Sequence, residues 1–129
     1  MAVVKSRPLS PHLSIWRWSP AMLVSILHRV SGDGMALVGL PILVWWLYAI
    51  AGGPQSYAPF AAFTGMWLGK LVLFGLTWSF FNHMASGLRH FVLDIGAGYE
   101  LKNNAFWSVL TPLVAATATV LAWALILLR

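Results

Sequence analysis

Three long hydrophobic segments occupy most of this 129-residue chain, at about residues 20–51, 60–93 and 106–128. A membrane-spanning helix needs about 20 apolar residues to cross a hydrocarbon core about 30 Å thick, and each segment is long enough. Hydrophobic residues make up 60% of the sequence and its mean hydropathy is +0.78, which argues against a small soluble domain. The sequence therefore predicts an all-α integral membrane protein with three transmembrane helices in a membrane-anchor domain at 20–129.

Helix-capping and helix-breaking residues mark the ends of the first segment. Ser19 followed by Pro20 is typical of a helix start, and the Gly-Gly-Pro sequence at 52–54 is typical of a helix end. The uncharged stretch 52–60 predicts a loop between the first two spans. Pro41 lies inside the first span, where it predicts a bend.

The placement of the cations predicts the orientation in the membrane. Lysine and arginine cluster near the start of the first span and at the junction of the second and third, at Lys5, Arg7, Arg17, Arg29, Arg89 and Lys102. Because cytoplasmic segments carry an excess of cations, we expect the N-terminus and the loop holding Lys102 to face the cytoplasm. Lys70, about two turns into the second helix, and Arg129 are then expected on the opposite side.

The first nineteen residues predict an interfacial arm. Prolines interrupt this segment and Trp16 and Trp18 suit the headgroup region, whereas the short apolar core of a cleavable signal is missing. No Arg- and Ser-rich transit peptide is visible. We therefore expect the inner membrane of a bacterium, with the mitochondrial inner membrane as the alternative.

Composition excludes several kinds of site. The chain has no cysteine, which rules out thiolate zinc sites, iron–sulfur ligation, disulfides and c-type haem attachment by its own residues. No glycine-rich nucleotide-binding fingerprint is present. The net charge of +5 is explained by membrane topology and contact with anionic headgroups, so no nucleic-acid partner is expected.

Histidines near the end of the second segment point to a haem-binding helix. His83 and Gly87 lie one turn apart, and His90 returns to nearly the same face. The glycine leaves room for a flat macrocycle while the imidazole reaches iron, and Arg89 and His90 lie about 9–10 Å further along, where they can meet haem propionates. Alternatively, His83 is a hydrogen-bonded packing residue and Arg89 an ordinary positive-inside anchor.

Polar residues in the first segment form a second candidate site. Ser25 and Arg29 lie one turn apart, so a hydroxyl and a guanidinium share one face near the inner interface and can bind a carbonyl oxygen. His28, on another face, can reach a propionate or a proton path. The alternatives are that Ser25 bonds its own helix carbonyl and that Arg29 is a membrane anchor.

Taken together, these residues resemble the cytochrome b556 membrane-anchor subunits of succinate dehydrogenase. Two signatures, in the family's order and together with three spans covering nearly the whole chain, carry the resemblance. The first combines Arg7-Pro8-Leu9 and Ser10-Pro11-His12-Leu13 with Ser25-Ile26-Leu27-His28-Arg29-Val30-Ser31, and the second is His83, Gly87-Leu88-Arg89-His90, Asp94 and Gly96. Leu93 departs from the aromatic residue or methionine usual before the aspartate, but it is not a ligand position.

The resemblance implies roles for these residues. His83 would be an axial ligand of a b-type haem iron, with the second ligand supplied by a companion anchor subunit. Ubiquinone would bind near Ser25, Ile26 and Arg29, where Ser25 bonds a quinone carbonyl and Arg29 stabilises negative charge or relays protons. The implied haem pocket comprises His28, Arg29, Gly87, Arg89 and His90.

The resemblance also implies an assembly in which this chain does not itself oxidise succinate. A flavoprotein subunit with FAD and an iron–sulfur subunit would deliver electrons to ubiquinone at the membrane. The companion anchor is expected to pack, within a heteromeric helix bundle, on small residues of the first two helices, at Gly32, Ala36, Gly65 and Gly69. Three alternatives remain open: a quinol:fumarate reductase anchor, a structural anchor without haem, and a transporter subunit using the histidines as a proton relay.

Overall fold

The computed structural model describes residues 17–128, which form five α-helices and one short π-helical segment. No strand occurs within those residues, and long apolar helices dominate, so the predicted all-α integral membrane fold is confirmed. Arg129 and nearly all of the predicted interfacial arm at 1–19, including the first part of the first signature, lie outside the described residues.

Helix α1, Pro20–Gly34, begins as the sequence predicts. The hydroxyl of Ser19 accepts a hydrogen bond from the backbone N–H of Met22 at 3.4 Å, and Pro20 occupies the first turn. Such a cap satisfies one of the backbone donors that a helix start leaves unpaired.

A π-helical segment, Met35–Gly39, joins α1 to helix α2, Leu40–Ala51. The N–H of Leu40 bonds the carbonyl of Met35, five residues back, just before Pro41. Proline lacks the N–H that would bond Leu37 and its ring crowds that carbonyl, and the wider turn accommodates both effects. The first segment thus continues as one apolar unit, Pro20–Ala51, with its irregularity where Pro41 predicts it.

Residues 53–60 of the predicted loop are helical. Helix α3 runs over Gly53–Gly65, and helix α4, Trp67–Asp94, starts about seven residues later than the second predicted span. The sequence Gly-Gly-Pro does end α2, but Pro54 also suits the first turn of a new helix, and Gly53 adopts a φ of 79° between the two.

The axes of α3 and α4 differ by 81° across a break at Met66, whose ψ is 157°. Gly69 allows the corner to close, because a Cβ atom there would meet the backbone carbonyl of Phe63. Lys70 consequently lies at the fourth residue of α4 and not two turns inside a helix.

Helix α5, Leu101–Leu127, is antiparallel to α4 and packs against α4 and α1. Gly96 and Gly98, both with positive φ, make the turn that reverses the chain. The helix begins about five residues before the predicted 106, since residues 101–105 are also helical and Glu100 is the capping residue. The indole of Trp123 donates to the Thr77 hydroxyl at 3.2 Å and links the far ends of the two helices.

The interior of the helix bundle is small and polar, and its outer surface is apolar. Six polar side chains are buried among the described residues, namely Ser31, Asn82, Ser86, Ser108, Thr111 and Thr119. Large apolar side chains are exposed on every helix, for example Leu23 on α1, Tyr57 on α3 and Leu125 on α5. This distribution suits helices in lipid, where small residues allow close packing and apolar side chains contact the acyl chains.

Two helical stretches, Pro20–Ala51 and Leu101–Leu127, are each long and apolar enough to cross a membrane. The bent pair α3 and α4 meets the same requirement of length and hydropathy only when the two helices are taken together. By length α4 suffices, since 28 residues rise about 42 Å, but Lys70, Arg89 and Asp94 lower its hydropathy.

Candidate functional site

Three histidine rings meet where the middle of α1 lies against the second half of α4. The rings of His28 and His83 stack with centroids 4.2 Å apart and planes at 26°, and the ring of His90 lies 5.2 Å from His28. Within residues 17–128 no three histidine or acidic side chains are arranged to hold a metal ion together.

The imidazole of His83 is held by a backbone group of α1. Its Nδ1 lies 3.1 Å from the carbonyl oxygen of His28. Because a carbonyl only accepts, Nδ1 carries the proton in this hydrogen bond, and Nε2 keeps its lone pair. This is the usual arrangement of a metal-ligating histidine, in which a bond to one ring nitrogen fixes the tautomer and the direction of the other.

Glycines on both helices make room around this imidazole. A Cβ atom on Gly32 would lie 2.9 Å from Cε1 and 3.1 Å from Nδ1 of His83, so only glycine lets the ring lie this close to α1. At Gly87, one turn after His83, a Cβ atom would meet nothing within 4 Å. The helix face beyond His83 is therefore open in the structure, and its use by a flat macrocycle stays a prediction.

A buried polar pair supports the His28 carbonyl from the other side, and sequence reasoning missed it. The Ser31 hydroxyl donates to that carbonyl at 2.9 Å, and the Asn82 side-chain N–H donates to the Ser31 hydroxyl at 3.2 Å. Asn82 is completely buried and Ser31 is 1% exposed. The signal was available, because an amide in an apolar membrane helix is costly unless it has a role.

Three buried polar atoms near the cluster lack a partner within the described part of the chain. They are Nε2 of His28, Oδ1 of Asn82 and Oγ of Ser86. Buried polar groups in native proteins are almost always paired, with protein, water or ligand. Unsatisfied atoms concentrated beside His83 indicate a site that a further group completes.

Ser25, Ile26 and Arg29 lie together on a partly open face of α1. Ser25 is half-buried, and Ile26 and Arg29 are exposed. Neither the Ser25 hydroxyl nor the Arg29 guanidinium has a hydrogen-bond or ion-pair partner among residues 17–128. The Ser25 hydroxyl thus does not bond its own helix carbonyl there and is free to bind an external group.

Arg89 lies apart from the histidine cluster. Its guanidinium donates to the side-chain oxygen of Asn104 and, at 3.1 Å, to the Ser108 hydroxyl, both on α5. It also lines an apolar cleft of about 340 Å³ between α4 and α5, to which His83 and Ser25 do not contribute. The structure thus engages Arg89 in hydrogen bonds that join α4 to α5, and a role for it in the haem pocket stays a prediction.

Comparison with known sequences gives the relationship of the chain. The family described as "Succinate dehydrogenase/Fumarate reductase transmembrane subunit" matches residues 4–124. The chain belongs to this family. The resemblance carried by the two signatures is confirmed, and the chain is a membrane-anchor subunit of an enzyme complex whose catalysis takes place elsewhere.

Individual relatives of this anchor family agree. A protein of Paracoccus denitrificans named "Succinate dehydrogenase cytochrome b556 subunit" is 36% identical over 97 residues, covering 75% of this chain and 74% of the relative. One of the same name from Rickettsia felis is 32% identical over 123 residues, 94% of each chain. "Succinate dehydrogenase cytochrome b560 subunit, mitochondrial" of Mus musculus is 35% identical over 104 residues, 74% of this chain and 57% of the relative.

Two of the four small residues expected to receive the companion anchor are already packed within this chain. The companion anchor was expected on Gly32, Ala36, Gly65 and Gly69, but Gly32 already contacts His83 and Gly69 contacts the Phe63 carbonyl. No atom lies within 4 Å of a Cβ placed on Gly65, and Ala36 is exposed. Only these two remain open to a neighbouring subunit.

Proposed function

We propose that this chain is the cytochrome b anchor of a succinate:ubiquinone oxidoreductase, that it binds a b-type haem through His83 and that it contributes Ser25, Ile26 and Arg29 to the ubiquinone-reduction site. The observation that carries the proposal is the hydrogen bond from Nδ1 of His83 to the His28 carbonyl, which leaves Nε2 free as a ligand. Family membership and the names of the relatives support the same assignment.

The residues around His83 fit a haem. The open face at Gly87 accommodates a flat ring, and the unpartnered Nε2 of His28 and the exposed His90 can hold propionates near the headgroups. When bound, the haem supplies a one-electron store beside the quinone site.

The second axial ligand comes from a companion anchor subunit in this proposal. Among residues 17–128, the imidazole of His28 stacks on that of His83 with centroids 4.2 Å apart, which leaves no room for a metal ion between the two rings. His83 would therefore hold the haem iron from this chain, and a residue of the companion anchor would supply the other ligand. The cluster therefore supplies half of a shared site.

The quinone-binding face uses two free polar groups. The Ser25 hydroxyl can donate to a quinone carbonyl, and Arg29 on the same face places positive charge where the carbonyl oxygen gains electron density during reduction. Exposed Ile26 offers apolar contact for the ring. Proximity of Arg29 to the inner aqueous face also suits proton delivery.

The proposed assembly holds FAD and iron–sulfur clusters in two partner subunits, with this chain in the bacterial inner membrane as three spans and with its N-terminus in the cytoplasm. Lipid completes its apolar surface. The relatives named above are all succinate dehydrogenase subunits, which favours succinate oxidation over the reverse reaction of a fumarate reductase anchor.

The haem assignment is tested by the haem-to-flavin ratio of the purified complex. We expect His83→Ala to lose most of the haem, and Met84→Ala, which removes the neighbouring exposed side chain, to keep it. Flavin content reports whether the soluble subunits remain attached. A His83→Ala complex that retains wild-type haem would refute the assignment.

The quinone assignment is tested with two electron acceptors. We expect Ser25→Ala and Arg29→Ala to reduce succinate-driven ubiquinone reduction at least about 10-fold, as loss of a hydrogen bond to a charged or developing-charge group costs about 1.5–3 kcal/mol. Reduction of a water-soluble dye by the same complexes, which bypasses the membrane site, should be unchanged, and Ser25→Ala should also keep its haem. Equal losses with both acceptors would show that the residues support assembly instead.

A further inference from the structure

The carbonyl oxygen of His28, inside helix α1, accepts two side-chain hydrogen bonds. One comes from Nδ1 of His83 at 3.1 Å and the other from the Ser31 hydroxyl at 2.9 Å. The hydroxyl in turn accepts from the Asn82 side chain at 3.2 Å. A chain of three hydrogen bonds therefore runs from Asn82 through Ser31 to the acceptor that orients the imidazole.

The two donors to this carbonyl compete for its electron density. A carbonyl already bonded to a hydroxyl is a weaker acceptor for a second N–H, so Ser31 weakens the pull on the Nδ1 proton of His83. The Asn82 bond acts on the hydroxyl itself, because accepting a hydrogen bond makes a hydroxyl a better donor. Asn82 thus strengthens the effect of Ser31.

Burial keeps water from replacing either group. Ser31 is 1% exposed and Asn82 is completely buried, and each lies in the contact between α1 and α4. In such surroundings a hydrogen bond is electrostatically stronger than in water, and its loss is not compensated by solvent. The orientation and donor strength of the imidazole are therefore set by residues that never touch a ligand.

We propose that Ser31 and Asn82 are positioning residues that hold the His28 carbonyl and limit its hydrogen bond to His83, and that they thereby raise the reduction potential of the haem. The inference rests on the proposed function of His83. A stronger hydrogen bond to Nδ1 makes an imidazole ligand more basic, which favours ferric over ferrous iron and lowers the potential. By weakening that bond, the Ser31–Asn82 pair moves the potential upward.

The test is potentiometric titration of the haem in the intact purified complex. We expect Ser31→Ala to lower the midpoint potential, Asn82→Ala to lower it by less, and Ser31→Thr, which keeps a hydroxyl, to remain near wild type. Thr119→Val is the matched control, since it deletes a buried hydroxyl that bonds its own helix carbonyl, at Ala115, on α5. Its potential should not move.

The outcomes separate the inference from the proposed function. An unchanged or raised potential in Ser31→Ala, or an equal drop in Thr119→Val, would overturn the role of Ser31. If Ser31→Ala assembles without haem, the direction of the Asn82→Ala shift decides in its place. A His83→Ala complex that keeps its haem would instead overturn the proposed function on which the inference rests.

Discussion

Gly32 decides how closely the imidazole of His83 can approach α1. In Gly32→Ala the new methyl group would lie 2.9 Å from Cε1, and the ring would have to move away from the His28 carbonyl. We expect a lower haem-to-flavin ratio and a loss of about 1–3 kcal/mol in stability, the usual cost of overpacking. Haem extraction and thermal denaturation of the purified complex measure the two effects.

Gly34→Ala is the control for that change. The nearest atom to its methyl group would be the Ser79 hydroxyl oxygen at 3.9 Å, which is an ordinary contact, so haem content should stay at the wild-type value. Equal haem loss in the two variants would mean that helix α1 tolerates no added methyl here and that contact with His83 is not the cause.

Single residues were predictable to different degrees. His83, Ser25 and Arg29 stand out in the sequence because polar and ionisable groups are rare in apolar segments. Contacts between helices did not stand out in the sequence. The hydrogen bonds from Arg89 to Asn104 and Ser108, and the close approach of Gly32 to His83, depend on how three helices pack. Helical periodicity places residues on a face, but it does not say which helix that face meets.

At the scale of elements, the corner between α3 and α4 depends on Gly69. A Cβ atom there would lie in the position of the Phe63 backbone carbonyl, which cannot rotate away as a side chain would. We expect Gly69→Ala to lower the free energy of unfolding by about 3 kcal/mol or more, at or above the upper end of the usual cost of overpacking. The thermal midpoint of the purified complex measures this loss.

The same variant should leave the haem spectrum of the surviving complex unchanged. Gly69 lies 14 residues before His83 on α4, which corresponds to about 21 Å along the helix. Gly75→Ala is the control, because a methyl group there would meet nothing within 4 Å. An identical drop in thermal midpoint for both variants would contradict a specific role for the corner.

Elements were predicted where the local signals agreed and missed where one signal had two meanings. Ser19 and Pro20 begin α1 as expected, and the π-helical turn falls beside Pro41. The sequence Gly-Gly-Pro at 52–54 ends one helix and starts another, so the sequence predicts a loop at 52–60 where the first half of α3 lies, and it places the second half in the second span. Nothing local to Met66 marks the 81° corner, which is produced by packing.

For the molecule as a whole, the distribution of charge predicts which ends face the cytoplasm. The sequence has no cysteine, so single cysteines can be introduced without a prior substitution. In inverted and right-side-out membrane vesicles, we expect Gln55→Cys and Lys102→Cys to react with a membrane-impermeant maleimide from opposite sides, Lys102→Cys from the cytoplasm. Labelling of both positions from the same side would contradict a span formed by α4.

The central claim is that His83 carries a haem that succinate can reduce through the partner subunits. The most direct measurement is a reduced-minus-oxidised optical spectrum of the complex purified through this chain, recorded with succinate and then with dithionite. We predict a b-type α band with succinate in the wild-type complex and no such band with either reductant in His83→Ala. A wild-type complex without the band even in dithionite, or a band that survives in His83→Ala, would contradict the claim.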